Sequence, residues 1–343
     1  MKGIILAGGT ATRLFPLTAT TSKQLLPVYD RQMVFYPLNT LVKAGVKDIL
    51  VIVSPEHSGQ FLNLLGLIFE DLGVHLEFMV QSVPRGLAEA FILGEEFIDD
   101  DNVTLILGDN IIESDISESI KNFEKGGMIF TKEVQDPERF GVVEFDENGK
   151  VLSIEEKPEN PKSSFISIGA YVYDSRVVKM AKSLKASSRG ELEIVDLHKK
   201  YLELDELKVE KITGEWLDAG TFDSLLEAGK IVKEKRLYKK ADPRIDQAIE
   251  KFNISLKELA KKKLNFIEYF IFLYGDKYSP KCEKLPDFFI KKYKILPWFW
   301  KYFIFSAIRN TFFNYRYYYF MTKNEVIKSS KIKVIIDERT NSK

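Results

Sequence analysis

Three features of the 343-residue chain predict an α/β fold, a Rossmann-like, mostly parallel sheet with helices on both faces. Short apolar runs end abruptly at glycine or at aspartate. Segments with helical spacing separate those runs. From Met128 onward the texture changes to alternating strands, which predicts an antiparallel section.

Taken in order, Gly3-Ile4-Ile5-Leu6-Ala7 reads as a buried parallel strand that Gly8-Gly9 stops. A loop follows. It carries Thr10, Thr12, Arg13, Thr18, Thr20, Thr21, Ser22 and Lys23, so backbone N–H groups, hydroxyls and two cations gather beside a strand end. Such a surface suits a polyphosphate. Neither GxxxxGK[ST] nor GxGxxG is present, which excludes two commoner phosphate loops. Residues Gln32 to Ala44 have helical spacing, with Met33, Leu38 and Leu41 apolar and Gly45 as the stop. Asp48–Val53 reads as a second buried strand, Glu56–Leu67 as a helix and His75–Val80 as a third strand. Gln81 ends that strand, and Gly86 to Ala90 opens another helix. Val103–Leu107 is the strongest apolar strand, closing in Gly108-Asp109-Asn110. Ligands on such sheets lie at the carboxyl ends of strands. Beyond it, residues 127–134, 140–158 and 166–174 alternate as antiparallel strands, with Asp146-Glu-Asn-Gly149 as a hairpin turn.

Charge is balanced at 50 basic and 50 acidic side chains, and the balance conceals an asymmetry. From Ala241 onward 21 basic face 11 acidic residues, and 23 of the 43 aromatic residues fall in the same stretch. We therefore expect two regions, 1–240 and a basic, aromatic-rich, helical extension over 241–343. The single cysteine, Cys282, forms no internal disulfide, and Met1 runs straight into a strand with no signal peptide, so a reducing cytoplasm is the expected setting. With only His57, His75 and His198, each read as structural or exposed, a zinc site is not expected.

The segments LAGGxxTRLxPLT (Leu6–Thr18) and SKQLLPV (Ser22–Val28) resemble the opening of the sugar nucleotidyltransferases, and among them the glucose-1-phosphate thymidylyltransferases. Ala11 stands where that family usually has glycine. The resemblance runs over about residues 1–237 and implies a reaction of a nucleoside triphosphate, dTTP, with a sugar 1-phosphate, glucose 1-phosphate, giving a nucleotide-sugar and pyrophosphate. It implies that Leu6, Gly8, Gly9, Thr10, Ala11, Thr12 and Arg13 hold the nucleotide, that Gln24, Gln81 and Gly86 contact the base, and that Asp109 and Asp218 bind Mg²⁺. Phe140, Gly141, Glu156, Lys157 and Arg189 fall in the sugar-phosphate half, under an antiparallel lid. Phe140 replaces a frequent tyrosine there, and Arg85 adds a cation near the base. Arg13, Lys23, Asp109, Lys157 and Asp218 are the catalytic candidates. A homo-oligomer is implied as well.

The competing reading is a catalytically silent nucleotide-sugar sensor or scaffold with a partner- or membrane-recruiting tail. In that tail, 264–274 is too short to span a bilayer and 295–321 contains Lys301, Arg309 and Arg316. The favoured reading is a small helical domain or dimer contact. An interfacial segment on anionic lipid is the second, and nucleic-acid binding, unsupported by any recognised module, the third.

Overall fold

The computed structural model describes residues 1–9, 11–66, 72–250 and 333–336. Thr10, the segment 67–71 that includes the end of the expected helix, and the tail segments 264–274 and 295–321 lie outside the described residues. One compact unit comprises 1–246 with 331–343, and a second comprises 247–330.

The strands in chain order are β1 (Lys2–Ala7), β2 (Pro27–Val28), β3 (Arg31–Gln32), β4 (Asp48–Val53), β5 (His75–Val80), β6 (Val103–Leu107) and β7 (Ile111–Ile112), then β8 (Gly127–Glu133), β9 (Gly141–Phe145), β10 (Val151–Glu156), β11 (Phe165–Tyr173), β12 (Leu207–Lys211), β13 (Trp216–Leu217) and β14 (Lys333–Ile336). Ten of them form one sheet, whose main path runs β10-β9-β11-β6-β1-β4-β5-β14. Its parallel half is β6-β1-β4-β5-β14, in register Leu6↔Ile52 and Leu6↔Leu107 about β1. Ile4, Ile5, Leu50, Ile52, Leu105 and Ile106 are buried on both faces, which is why these strands read as unbroken apolar runs.

The chain builds β4 and β5 on one side of β1, then crosses to lay β6 on the other. That reversal sets the carboxyl ends of β1 and β6 side by side, with Gly8 and Asp109 just beyond them, at the edge of the sheet where ligands of such folds bind. The antiparallel strands are no separate sheet: β11 pairs β6 through Ala170↔Ile106 to Tyr173↔Val103 and continues the same surface. At the hairpin, Asp146 accepts from the backbone of Asn148 and Lys150, and Gly149 takes φ 81. Only the glycine is left-handed there, and the register shifts between Val151 and Ser153, so a bulge absorbs the extra residue.

Three expectations shift. The helix expected from Gln32 starts at Phe35, because Arg31 and Gln32 fold back on Val28 and Pro27 through a turn in which Tyr29 takes φ 68. The next helix is Ser58–Leu65, preceded by a separate turn at Pro55–His57, since Pro55 has no N–H to donate. In the tail, expected to be helical, Lys333–Ile336 is a strand paired in parallel with β5. Its Val-Ile-Ile run suits a pleated edge.

Candidate active site

Among its described residues the loop after β1 contains no α-helix and is folded by three short turns, Thr12–Leu14, Leu17–Ala19 and Lys23–Leu25. Leu14 plugs it into the core, fully buried, while Arg13 stays exposed. Thr18 Oγ1 donates to the Ala11 carbonyl at 3.1 Å and ties the loop to itself. Ala11 lies in the left-handed region at φ 45, ψ 38.

Lys23, only 7% exposed, returns to the strand end, where its Nζ meets Asp109 Oδ2 at 2.6 Å. Asn110 Nδ2 donates to Asp109 Oδ1 at 3.0 Å, so both oxygens of this carboxylate are held. Asn110 Oδ1 in turn accepts from Gly169 N and from Trp216 Nε1. Asp218 follows β13. Its Oδ1 accepts from Gly220 N at 3.0 Å, and Thr221 then caps the Phe222–Glu234 helix with a reciprocal Ser224 contact. Burial pushes the Asp218 carboxyl up; Lys23 pulls it down, the Asp109 charge pushes it up, and Arg139 pulls it down. A Cβ added at Gly220 would lie 3.0 Å from Asp218 Oδ1 and 3.3 Å from Arg13 Nη2. Arg13, Lys23, Asp109 and Asp218 thus converge from four places in the sequence.

The amides gather around the end of β1. Gln24 Nε2 donates to the Gly8 carbonyl at 3.3 Å, and Ser22 Oγ donates to Gln24 Oε1, so both ends of that amide are engaged within the protein. Gln81 is buried, and a Cβ on Gly8 would lie 2.9 Å from its Oε1. Gly86 has φ 103, and a side chain there would run into the Leu192 backbone. This is a close approach that only glycine allows. Sequence reasoning missed the carboxylate behind these groups, Glu89, which takes up Arg85 Nε at 2.7 Å.

On the antiparallel side, Glu156 ends β10. Lys157 adopts φ 46, its N donates to Phe140 O, and its Nζ lies 3.6 Å from Glu156 Oε1. Arg189 reaches Glu156 Oε1 at 3.3 Å while anchored on Glu193 at 2.8 Å. Burial raises the Glu156 carboxyl, Lys157 lowers it, Glu193 raises it and Arg189 lowers it. A Cβ at Gly141 would lie 3.5 Å from Glu156 Oε2. Phe140 packs edge-on to Trp216 at 5.3 Å, and the Arg139 guanidinium covers its face at 5.1 Å. Trp216 therefore links Phe140 to Asn110 and, through it, to Asp109, a connection invisible in spacing. Burial pushes the Tyr171 hydroxyl up, and the charges of Glu156 and Asp109 push it the same way.

His198 is fully buried between Tyr173 OH and Ser167 Oγ, and burial pushes its imidazole down to about 3. It is a neutral structural group. Among the described residues no group of three or more His, Cys, Asp or Glu side chains could hold a metal ion.

The family model described as "Nucleotidyl transferase" matches residues 2–235. The chain belongs to the nucleotidyl transferase family. It is 52% identical over 240 residues to a glucose-1-phosphate thymidylyltransferase of Neisseria meningitidis, covering 68% of this chain and 83% of that protein. It is 50% identical over 238 residues to the enzyme of that name from Mycolicibacterium smegmatis, covering 68% and 82%. A Bacillus anthracis crystal structure described by the same activity superposes with a TM-score of 0.64 at 42% identity, over 67% of this chain and 94% of that one. A UDP-glucose pyrophosphorylase structure, at 20% identity and a TM-score of 0.60, shares the nucleotidyltransferase fold. Every residue of the converging cluster lies inside the matched span. No helix among the described residues is long and apolar enough to cross a membrane.

Proposed function

We propose that this nucleotidyltransferase joins dTTP and glucose 1-phosphate to give dTDP-glucose and pyrophosphate, with Mg²⁺ as the divalent cation. The observation that carries the reading is the meeting of Lys23 with Asp109 at 2.6 Å beside the half-buried Asp218, where the carboxyl ends of β1 and β6 adjoin. Two carboxylates crowded into one partly dry place suit an oxygen-liking cation whose remaining ligands come from substrate phosphate and water. Such a cation, when bound, would neutralise charge on the phosphates.

The nucleophile is an oxygen of the sugar phosphate, already mostly ionised at neutral pH because its second pKa is about 6. It attacks the α-phosphorus and pyrophosphate leaves in line. No general base is needed, consistent with a neutral, walled-in His198. Catalysis is a matter of position and charge. Arg13, Lys23 and the backbone of the Gly8–Thr12 loop hold the triphosphate. Lys157 and Arg189 place the sugar phosphate, Glu156 and Gly141 take sugar hydroxyls, and Phe140 and Trp216 form the wall between the halves. Leu6 and Gly8 floor the nucleotide pocket, Gln24 braces Gly8, and Gln81 and Gly86 face the base. A silent sensor has no use for the Lys23, Asp109 and Asp218 cluster. Both substrates are phosphorylated metabolites, in keeping with a cytoplasmic setting.

A panel of nucleoside triphosphates crossed with sugar 1-phosphates, read by pyrophosphate release, tests the assignment. The fastest pair should be dTTP with glucose 1-phosphate. A clear preference for a purine triphosphate would refute it.

A further inference from the structure

One buried carboxylate has no task in this scheme. Glu89, 3% exposed, opens the Glu89–Leu93 helix and accepts three hydrogen bonds: from Gln81 Nε2 at 2.8 Å, from Arg85 N at 3.0 Å and from Arg85 Nε at 2.7 Å. An ionised carboxylate only accepts, whereas a glutamine amide carries a donor at one end and an acceptor at the other. Contact with Glu89 therefore fixes which end of Gln81 is which. Nε2 turns toward Glu89, and Oε1 lies beside Gly8, 2.9 Å from where a Cβ there would stand, at the carboxyl end of β1. No donor among the described residues reaches Oε1.

We infer that Glu89 is a positioning residue that holds Gln81 with its carbonyl toward the base, and thereby selects thymine or uracil over cytosine. The inference rests on the proposed placement of the base beside Gln81. Thymine and uracil present an N3–H donor on their pairing edge, and an acceptor is its complement. Cytosine presents a bare N3 lone pair, which Oε1 repels; only a flipped amide, with Nε2 forward, would suit it. Flipping would set Oε1 against the Glu89 carboxylate, two acceptors face to face in a buried place. Arg85 compensates the charge of Glu89, so the cation that the sequence places near the base is spent on the carboxylate behind Gln81.

The test compares dTTP with dCTP, each with glucose 1-phosphate, as the ratio of kcat/KM. Glu89→Gln keeps the shape and replaces the carboxylate by a group that can donate or accept, which frees Gln81 to turn. The dTTP preference should fall about tenfold or more, mainly through better use of dCTP, while saturating kcat with dTTP stays within about threefold. Arg85→Ala leaves the Gln81–Glu89 contact in place and should keep the ratio within about twofold. A folded Glu89→Gln enzyme with an unchanged ratio overturns the inference, as does an equal loss in Arg85→Ala, which would trace discrimination to loop packing. Should Glu89→Gln not fold, Gln81→Met removes Oε1 and spares the Glu89–Arg85 pair, and it must erode the preference by a similar factor or the inference fails. A wild-type enzyme that uses neither pyrimidine triphosphate overturns the functional reading itself, an outcome visible before any variant is made.

Discussion

At Ala11 the chain places a side chain where its backbone asks for none. With φ at 45 the residue is left-handed, a conformation that costs an L-residue about 1–2 kcal/mol and glycine almost nothing. Glycine also adds disorder to the unfolded chain, offsetting about 0.5–1 kcal/mol of the gain. Ala11→Gly should therefore stabilise the protein by about 0.5–1 kcal/mol, seen as a higher urea midpoint at unchanged slope. A lower midpoint would mean that the loop depends on the alanine side chain. The departure from glycine is plain in the sequence; its cost becomes visible only once the backbone angle is known.

Asp218 shows the opposite kind of cost, an electrostatic one. Burial first and the Asp109 charge among the rest outweigh Lys23 and Arg139, so its carboxyl titrates above its ordinary value in the folded chain. A raised carboxylate pKa means that the folded state holds the proton more tightly, and stability falls as pH climbs from the unfolded value of about 3.9 through the folded one. Without divalent cation, Asp218→Asn should raise the Tm at pH 7 by about 2 °C or more, and the gain should vanish below about pH 4, where the wild-type residue is protonated too. A Tm lowered at pH 7 would show that the lost contacts with Lys23 and Gly220 outweigh burial. Activity should be lost in either case.

Among the elements, the turn from β5 into the Glu89–Leu93 helix is the most constrained. Gly86 combines φ 103 with the Leu192 backbone against the place a Cβ would take, and Leu192 N donates to Arg85 O across the same contact. Gly86→Ala should cost at least about 2 kcal/mol by urea unfolding, since backbone on both sides has to move. The reach of β14 is a matter of smaller terms. Four residues pairing with β5 add hydrogen bonds of about 0.5–1.5 kcal/mol each, against about 1–2 kcal/mol per residue for ordering them. The two nearly cancel. Ending the chain at Ser330 should therefore lower stability by no more than about 2 kcal/mol, yet amide exchange along β5 should accelerate clearly. Unchanged β5 protection would remove β14 from the sheet edge.

Elements with a purely local cause were legible in advance. β1, β4, β5 and β6 are apolar runs punctuated by glycine, aspartate or glutamine, and their bounds follow from those residues. The β2–β3 hairpin and β14 were not legible, because each exists through a partner that local pattern does not name. The same holds within the site. Lys23, Asp109 and Asp218 carry recognisable motifs, whereas Glu89 and Trp216 gain their meaning from contacts with Gln81 and Asn110 across the fold.

Over the whole molecule, strand order produces the site. Because β6 crosses back to the far side of β1, the loop after Ala7 and the aspartate after Leu107 end beside each other, and β11 brings the antiparallel strands against the same edge. Periodicity predicts a parallel sheet and is silent about its order, and the expected pairing of Asp109 with Asp218 comes from motif resemblance rather than from spacing. The extension beyond residue 250 is compositionally distinct, and only its strand 333–336 is described.

The most direct test is pyrophosphate release from dTTP and glucose 1-phosphate with Mg²⁺, wild type against Asp109→Asn, after confirming that the variant keeps its cooperative unfolding transition. With the cluster placed as described, the wild type turns over and the variant loses about a hundredfold or more in kcat/KM, since a charge in a partly dry site has been removed. Near wild-type release by the folded variant would contradict the assignment of this cluster as the catalytic centre.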